Sequence, residues 1–120
     1  MNLEFKRKLP TLQEIKAMYP LDDALAAHKK DTDATLKNIF SGKDNRLLLV
    51  IGPCSADRED AVLDYISRLR RVQEKVADKI VIVPRIYTNK PRTTGDGYKG
   101  MLHQPDPNAD ENMLKGLIAI

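Results

Sequence analysis

Two continuous apolar runs divide the chain, Leu47-Leu48-Leu49-Val50-Ile51 and Ile80-Val81-Ile82-Val83. Neither alternates with polar residues and each has the length of a strand, which predicts two parallel strands covered on both faces. Between them, Asp57 to Lys79 places Val62, Tyr65, Leu69, Val72 and Val76 on one face of a helix. Arg68, Arg70, Arg71 and Lys75 fall mainly on the others, so the segment predicts an amphipathic helix. Strand, helix and strand in this order predict a β-α-β unit with a right-handed crossover. Both strands then end on one rim of the sheet, the rim on which α/β folds keep their chemistry. Gly52-Pro53-Cys54-Ser55 follows the first strand, and a basic segment from Pro84 to Thr94 follows the second. Cys54, Arg85, Lys90 and Arg92 are therefore expected on the same rim.

The pattern before the first strand is helical. Met1 to Leu9 is a basic lead-in without periodicity, expected to be mobile or docked on a partner chain. Thr11-Leu12-Gln13-Glu14 has the form of a capping box and starts a short helix that Pro20 must end. Asp22 and Asp23 open a longer helix with apolar positions at Leu25, Leu36, Ile39 and Phe40, closed by Gly42. After the basic segment, Gly95-Asp96-Gly97 and Pro105-Asp106-Pro107-Asn108 read as turns. Asp110 is positioned to cap a last helix carrying Met113, Leu114, Leu117 and Ile118. That helix runs to Ile120 without a glycine, a basic last turn or a polar tail, which reads as an interrupted chain.

Composition narrows the class without deciding it. The chain has 120 residues, 42% hydrophobic and 31% charged, the profile of one folded domain. Twenty Lys and Arg against 17 Asp and Glu leave a net charge of only +3. With Trp absent and few aromatics, neither net charge nor stacking surface points to nucleic acid. One cysteine forms no intrachain disulfide, the N-terminus lacks the apolar core of a signal peptide, and no run has the length of a membrane span. A soluble, cytoplasmic protein is expected.

The candidate chemistry lies on the rim. Arg85, Lys90 and Arg92 fall within eight positions, and no acid occurs from Ile80 to Gly95. Guanidinium forks match phosphate or carboxylate bidentately and lysine adds a point charge, so the segment suits a phosphorylated or carboxylated small molecule. A solvated basic loop is the plainer reading; the nearby prolines and Thr93-Thr94 favour a binding loop by stiffening it and adding hydroxyls. Cys54 leaves two readings open: a small apolar core residue, or a thiolate acting as nucleophile or metal ligand. His28 is expected on an exposed helix flank and His103 in a loop that can face the rim; neither has metal-ligand spacing to Cys54. Gly95-Asp96-Gly97 fits no dinucleotide or P-loop fingerprint.

Leu49-Val50-Ile51-Gly52-Pro53-Cys54-Ser55, followed by Arg85-Ile86-Tyr87 and Lys90-Pro91-Arg92-Thr93-Thr94, closely resembles the type I DAHP synthases, the 3-deoxy-arabino-heptulosonate phosphate synthases. The likeness runs from about the second helix to Gly100. Further on, the family reads Val-Gly-Trp-Lys-Gly-Leu and then Asn-Asp-Pro, whereas this chain has the longer Gly95-Asp96-Gly97-Tyr98-Lys99-Gly100-Met101-Leu102-His103-Gln104-Pro105. A related synthase that makes 3-deoxy-octulosonate phosphate also has a Gly-Pro-Cys-like turn, but its basic loop resembles Lys-Ala-Asn-Arg. Lys90-Pro91-Arg92-Thr93 favours the heptulosonate branch.

The resemblance implies an α/β fold: an N-terminal helical extension, residues 1–46, and in residues 47–120 the first β-α-β portion of a truncated TIM (β/α)8 barrel. It implies condensation of phosphoenolpyruvate with erythrose 4-phosphate, the first step of the shikimate pathway to aromatic amino acids. Cys54 matches a ligand of a divalent metal ion of the Mn, Fe, Co or Zn type. Arg85 matches a residue that grips phosphoenolpyruvate, Lys90 a catalytic and substrate-binding residue between the two substrates, and Arg92 and Thr93 the erythrose 4-phosphate contacts. A homo-oligomer is implied for the complete protein, and no nucleic-acid or membrane partner. A whole barrel takes roughly 250 residues and eight strands. A chain with two strands and one metal ligand is thus expected to be inactive alone; the alternative is a non-catalytic or regulatory piece that associates with a full-length synthase.

Overall fold

The computed structural model describes residue 4 and residues 7–120; the rest of the basic lead-in lies outside the described residues. Four helices and two strands follow in the order α1 (Leu12–Met18), α2 (Asp23–Phe40), β1 (Leu47–Ile51), α3 (Glu59–Val76), β2 (Ile80–Pro84) and α4 (Met113–Ala119). The helix starts bear out the local reading. Thr11 and Glu14 close a reciprocal capping box, with the Thr11 N–H donating to the Glu14 carboxylate at 2.6 Å. That bond and one from the Thr11 hydroxyl hold the Glu14 pKa below the usual carboxylate value. Asp22 caps α2 through the Leu25 N–H at 2.7 Å, and Gly42, at φ 72°, ends it in the left-handed conformation glycine tolerates.

β1 and β2 pair in parallel, Leu47 against Ile80 through Ile51 against Pro84. The Leu47 N–H donates to Lys79 O at 2.8 Å and the Arg85 N–H to Ile51 O at 2.8 Å, which turns the odd-numbered positions of β2 toward β1. Pro84 is tolerated because its missing N–H lies on the other edge. α3 is shorter than the expected Asp57 to Lys79. It ends at Val76, and the Lys79 N–H returns to Val76 O at 2.9 Å as the chain turns into β2. Its start waits until Glu59 because the fully buried Ala56 donates its N–H to Tyr87 O at 3.0 Å.

Four expectations are corrected. The strands are not covered on both faces: Leu47 and Val50 are 62% and 58% exposed, and Leu49 and Ile51 are exposed too. The described residues place α3 against β2 and bring α2 to β1, and supply no second layer. Phe40 of α2 is largely exposed rather than in a core, and Leu25 is about half exposed. In α3, Val72 is exposed and Gln73 takes the inward position beside it. Last, α4 is capped by the Asn112 side chain, which accepts the Lys115 N–H at 3.1 Å, and not by Asp110. The surface reflects the missing layer. It amounts to 9718 Å², where a compact chain of this size would expose about 6,500 Å².

Gln73 compensates part of the bare sheet. Its side-chain amide donates to Ile80 O at 2.9 Å and accepts the Ile82 N–H at 2.5 Å, both on the edge of β2 turned away from β1. The side chain thus stands in for a neighbouring strand. Leucine at this position fills the space and leaves both backbone groups without that partner, so Gln73→Leu is expected to lower stability by about 1–3 kcal/mol. Urea unfolding followed by circular dichroism checks this; an unchanged midpoint would mean water satisfies the edge equally well.

Candidate functional site

The parallel pairing brings the ends of β1 and β2 side by side, and the loops that leave them meet at once. Gly52 is where they touch: a Cβ there would overlap the Arg85 carbonyl and crowd its Cβ at 3.1 Å. Only glycine allows the first loop to lie against the second. From Gly52 the chain turns through Pro53 and Cys54 to Ala56, whose N–H is held by Tyr87 O. The Gly-Pro-Cys-Ser turn is therefore fixed at both ends to the segment that carries the basic residues.

Each predicted side chain falls on this rim. Cys54 is exposed and unpaired in any disulfide, and its Sγ accepts a hydrogen bond from Lys90 Nζ at 3.3 Å across 36 residues of sequence. Arg85 Nη2 donates to Pro53 O at 2.6 Å and to Gly52 O at 3.2 Å, and its guanidinium lies 5.3 Å from the centroid of the Tyr87 ring. Arg92 Nε donates to Tyr98 O at 2.9 Å. Thr93 is exposed beside it and makes no side-chain hydrogen bond among the described residues. The rim thus gathers one thiol, one ammonium and two guanidinium groups.

His103 makes no side-chain hydrogen bond to them among the described residues. It sits in the turn before α4, where its carbonyl accepts the Asn112 N–H at 2.8 Å, and His28 is exposed on α2. A groove of about 590 Å³ between α2, α3 and β2, lined by Leu25, His28, Ile66, Leu69, Gln73 and Pro84, includes none of Cys54, Arg85, Lys90 and Arg92. It belongs to the uncovered face of the helices. Among the described residues no three of His, Cys, Asp and Glu converge, so this set does not fit a complete metal centre. Cys54 alone supplies one soft ligand, and catalytic metal sites take about three from the protein. The arginines of α3 behave as plain surface, Arg68 pairing with Asp64 at 2.8 Å and Arg70 with Glu74 at 3.6 Å, both well exposed.

Sequence reasoning missed the segment that closes the rim, Tyr98 to Gly100. The Lys90 N–H donates to Lys99 O at 2.7 Å, and the Tyr98 hydroxyl donates to Ala56 O at 3.1 Å. Gly100, at φ 107°, passes so close to Thr88 and Asn89 that a Cβ would strike their backbone. The Gly97 to Gly100 spacing was the available signal. Its meaning depends on backbone carbonyls, which residue types do not advertise.

Gly52→Ala tests the contact on which the rim rests. The added methyl must push the two loops apart, and a loss of about 1–3 kcal/mol in urea unfolding is expected from such overpacking. A variant as stable as the parent would show that the loops separate freely.

The sequence model of the DAHP synthetase I family matches residues 23–117. A phospho-2-dehydro-3-deoxyheptonate aldolase of Haemophilus influenzae is 42% identical over 99 residues, 82% of this chain and 27% of that protein. The Trp-sensitive phospho-2-dehydro-3-deoxyheptonate aldolase of Escherichia coli strain K12 is 36% identical over 109 residues, 91% of this chain and 31% of that protein. Among solved structures, the phospho-2-dehydro-3-deoxyheptonate aldolase of Francisella tularensis SCHU S4 superposes with a TM-score of 0.88 at 30% identity. The superposition covers 98% of this chain and 34% of that one. The chain spans a little under a third of the length of these curated relatives.

Proposed function

The chain belongs to the DAHP synthetase I family, and from that premise we propose that its rim serves the condensation of phosphoenolpyruvate with erythrose 4-phosphate. One observation carries the reading: Arg85 and Lys90 bond the loop that carries Cys54, Arg92 follows on the same basic segment, and no carboxylate pairs with any of them among the described residues. Both substrates are phosphate esters and one is also a carboxylate, the chemistry that such a cluster recognises.

The roles follow from reach and charge. Arg85, nearest the strand ends, takes phosphoenolpyruvate; Arg92 and Thr93, further along the loop, take the phosphate of erythrose 4-phosphate. Lys90, between Arg85 and Arg92 along the chain, is taken as the catalytic group. In the condensation, C3 of phosphoenolpyruvate bonds to the aldehyde carbon and the aldehyde oxygen takes a proton, which an ammonium at Lys90 is placed to give. Water then adds at C2 and inorganic phosphate departs, leaving the ketone. A divalent ion of the Mn, Fe, Co or Zn type would find one ligand in Cys54, and no step is assigned to it because the described residues do not complete its site. We read residues 47–120 as the first part of a (β/α)8 barrel behind a helical extension, 1–46, in a cytoplasmic homo-oligomer. No helix among the described residues is long and apolar enough to cross a membrane.

Binding and turnover test the reading separately. Nuclear magnetic resonance titration of the 120-residue chain with each substrate is expected to shift the Arg85, Lys90, Arg92 and Thr93 signals. Arg92→Ala should weaken erythrose 4-phosphate binding by about 10- to 100-fold, the worth of a charged hydrogen bond. No response to either substrate would refute the assignment. The chain alone, given a divalent metal, should not consume phosphoenolpyruvate in an erythrose 4-phosphate-dependent way; turnover would show that its catalytic set is complete.

The exposed apolar surface favours a second reading, in which the chain is non-catalytic and associates with a full-length synthase through α1 and α2. Leu12, Met18, Tyr19, Leu21, Leu25 and Phe40 are each more than half exposed, an arrangement that a partner surface would cover. Mixing tagged chain with a full-length relative should then yield a stable complex, and recovery of free chain alone would dismiss it.

A further inference from the structure

We propose that Tyr98 is the positioning residue of the basic rim, holding Arg92 so that its guanidinium fork is presented to a phosphate. The inference rests on the reading of Arg92 as a phosphate-binding side chain and adds the group that aims it.

An arginine on an exposed loop has four rotatable bonds, and its fork recognises phosphate only when the plane points the right way. Here Nε is occupied by Tyr98 O at 2.9 Å. Among the described residues the two terminal nitrogens make no hydrogen bond and remain available as a pair of donors. That carbonyl can only aim Arg92 if it is itself fixed. Three features fix it. Gly97, at φ 84°, turns the chain back over Arg92, with its Cβ position 3.8 Å from Arg92 Nε. The next carbonyl, on Lys99, accepts the Lys90 N–H at 2.7 Å. Finally, the half-buried Tyr98 ring reaches across the rim to donate its hydroxyl to Ala56 O at 3.1 Å.

Ala56 makes the anchor firm. It is fully buried, and its own N–H is held by Tyr87 O. The chain of contacts runs from Arg92 through the Tyr98 carbonyl and ring to the loop that carries Cys54. Desolvation, aided by the charge of Asp57, pushes the Tyr98 pKa above the usual tyrosine value, so the hydroxyl remains a donor. The surrounding loop is exposed from Pro91 to Gly97, and the Tyr98 hydroxyl ties it to the loop that carries Cys54. A tyrosine that merely filled space would need no such donor. Tethering a long side chain before the ligand arrives saves part of the ordering entropy at binding, worth about threefold to tenfold in affinity.

Tyr98→Phe removes the hydroxyl and keeps the ring. The readouts are the water exchange of the Arg92 Nε–H signal in the 120-residue chain and its affinity for inorganic phosphate. In the parent chain the Arg92 signal should exchange more slowly than that of exposed Arg71. In the variant it should exchange as fast as Arg71, with phosphate affinity reduced about threefold to tenfold. A purely structural tyrosine would lower the melting temperature and leave both readouts unchanged, and that result overturns the proposal. So does rapid exchange of the Arg92 signal in the parent, a measurement that stands even if the variant does not fold. Phosphate binding that Tyr98→Phe leaves intact defeats the Tyr98 inference alone. Absence of phosphate binding in the parent defeats the reading of Arg92 and, with it, the purpose assigned to Tyr98.

Discussion

The structure depends on the approach of two backbones at the C-terminal ends of a parallel strand pair. Register sets Ile51 opposite Pro84, and the next residue on each strand, Gly52 and Arg85, then meet at a distance that excludes any side chain on the first. Every later contact on the rim inherits its geometry from this one. Arg85 reaches the carbonyls of Gly52 and Pro53 because its own backbone already lies against them. Cys54 and Lys90 come within hydrogen-bonding distance because both loops leave the same edge in the same direction. A parallel pair requires a crossover, and α3 supplies it. The site is thus a consequence of topology before it is a consequence of residue type.

The same topology leaves the molecule open. A parallel sheet is ordinarily buried on both faces, yet here two strands carry most of their leucine, valine and isoleucine side chains partly or largely in solvent. The surface exceeds that of a compact chain by about 3,000 Å², an area comparable with an obligate interface. The superposition onto a third of a much longer chain gives this excess a simple physical sense. The same unit occurs there within a chain about three times as long. Gln73 shows the local answer available to a single side chain, which can satisfy two backbone groups on one edge but cannot cover a face.

How far the sequence disclosed this follows from which interactions are local. The strands were legible almost to the residue, because unbroken branched aliphatic runs have few other interpretations. The capping box at Thr11 and the cap at Asp22 were legible because each is settled within four residues. The ends of α3 were not: just beyond them Ala56 bonds Tyr87 and Lys79 bonds Leu47, contacts 31 and 32 residues apart that leave no mark on periodicity. Inward Gln73 and outward Val72 reverse the usual order because the β2 edge needs an amide more than it needs a methyl. On the rim, the charges were legible and their partners were not. Tyr98 carries its weight partly through a carbonyl, which every residue possesses.

The partners of the rim cations distinguish them from the other arginines. Arg46, Arg58 and Arg68 each lie 2.6–2.8 Å from an aspartate, and Asp44 and Asp60 are held below the usual carboxylate pKa chiefly by those pairings. Arg85, Lys90 and Arg92 instead donate to backbone carbonyls and a thiol. The difference is energetic. A carboxylate partner must be displaced or shared before an anion can bind, because it neutralises the cation it pairs with. A carbonyl or a thiol orients a cation without neutralising it. The rim therefore holds three positive charges in place without a carboxylate to neutralise any of them among the described residues. That arrangement follows from a basic loop free of acids, from the Gly52 and Pro53 carbonyls that the parallel strand pair brings to Arg85, and from the Tyr98 carbonyl that meets Arg92.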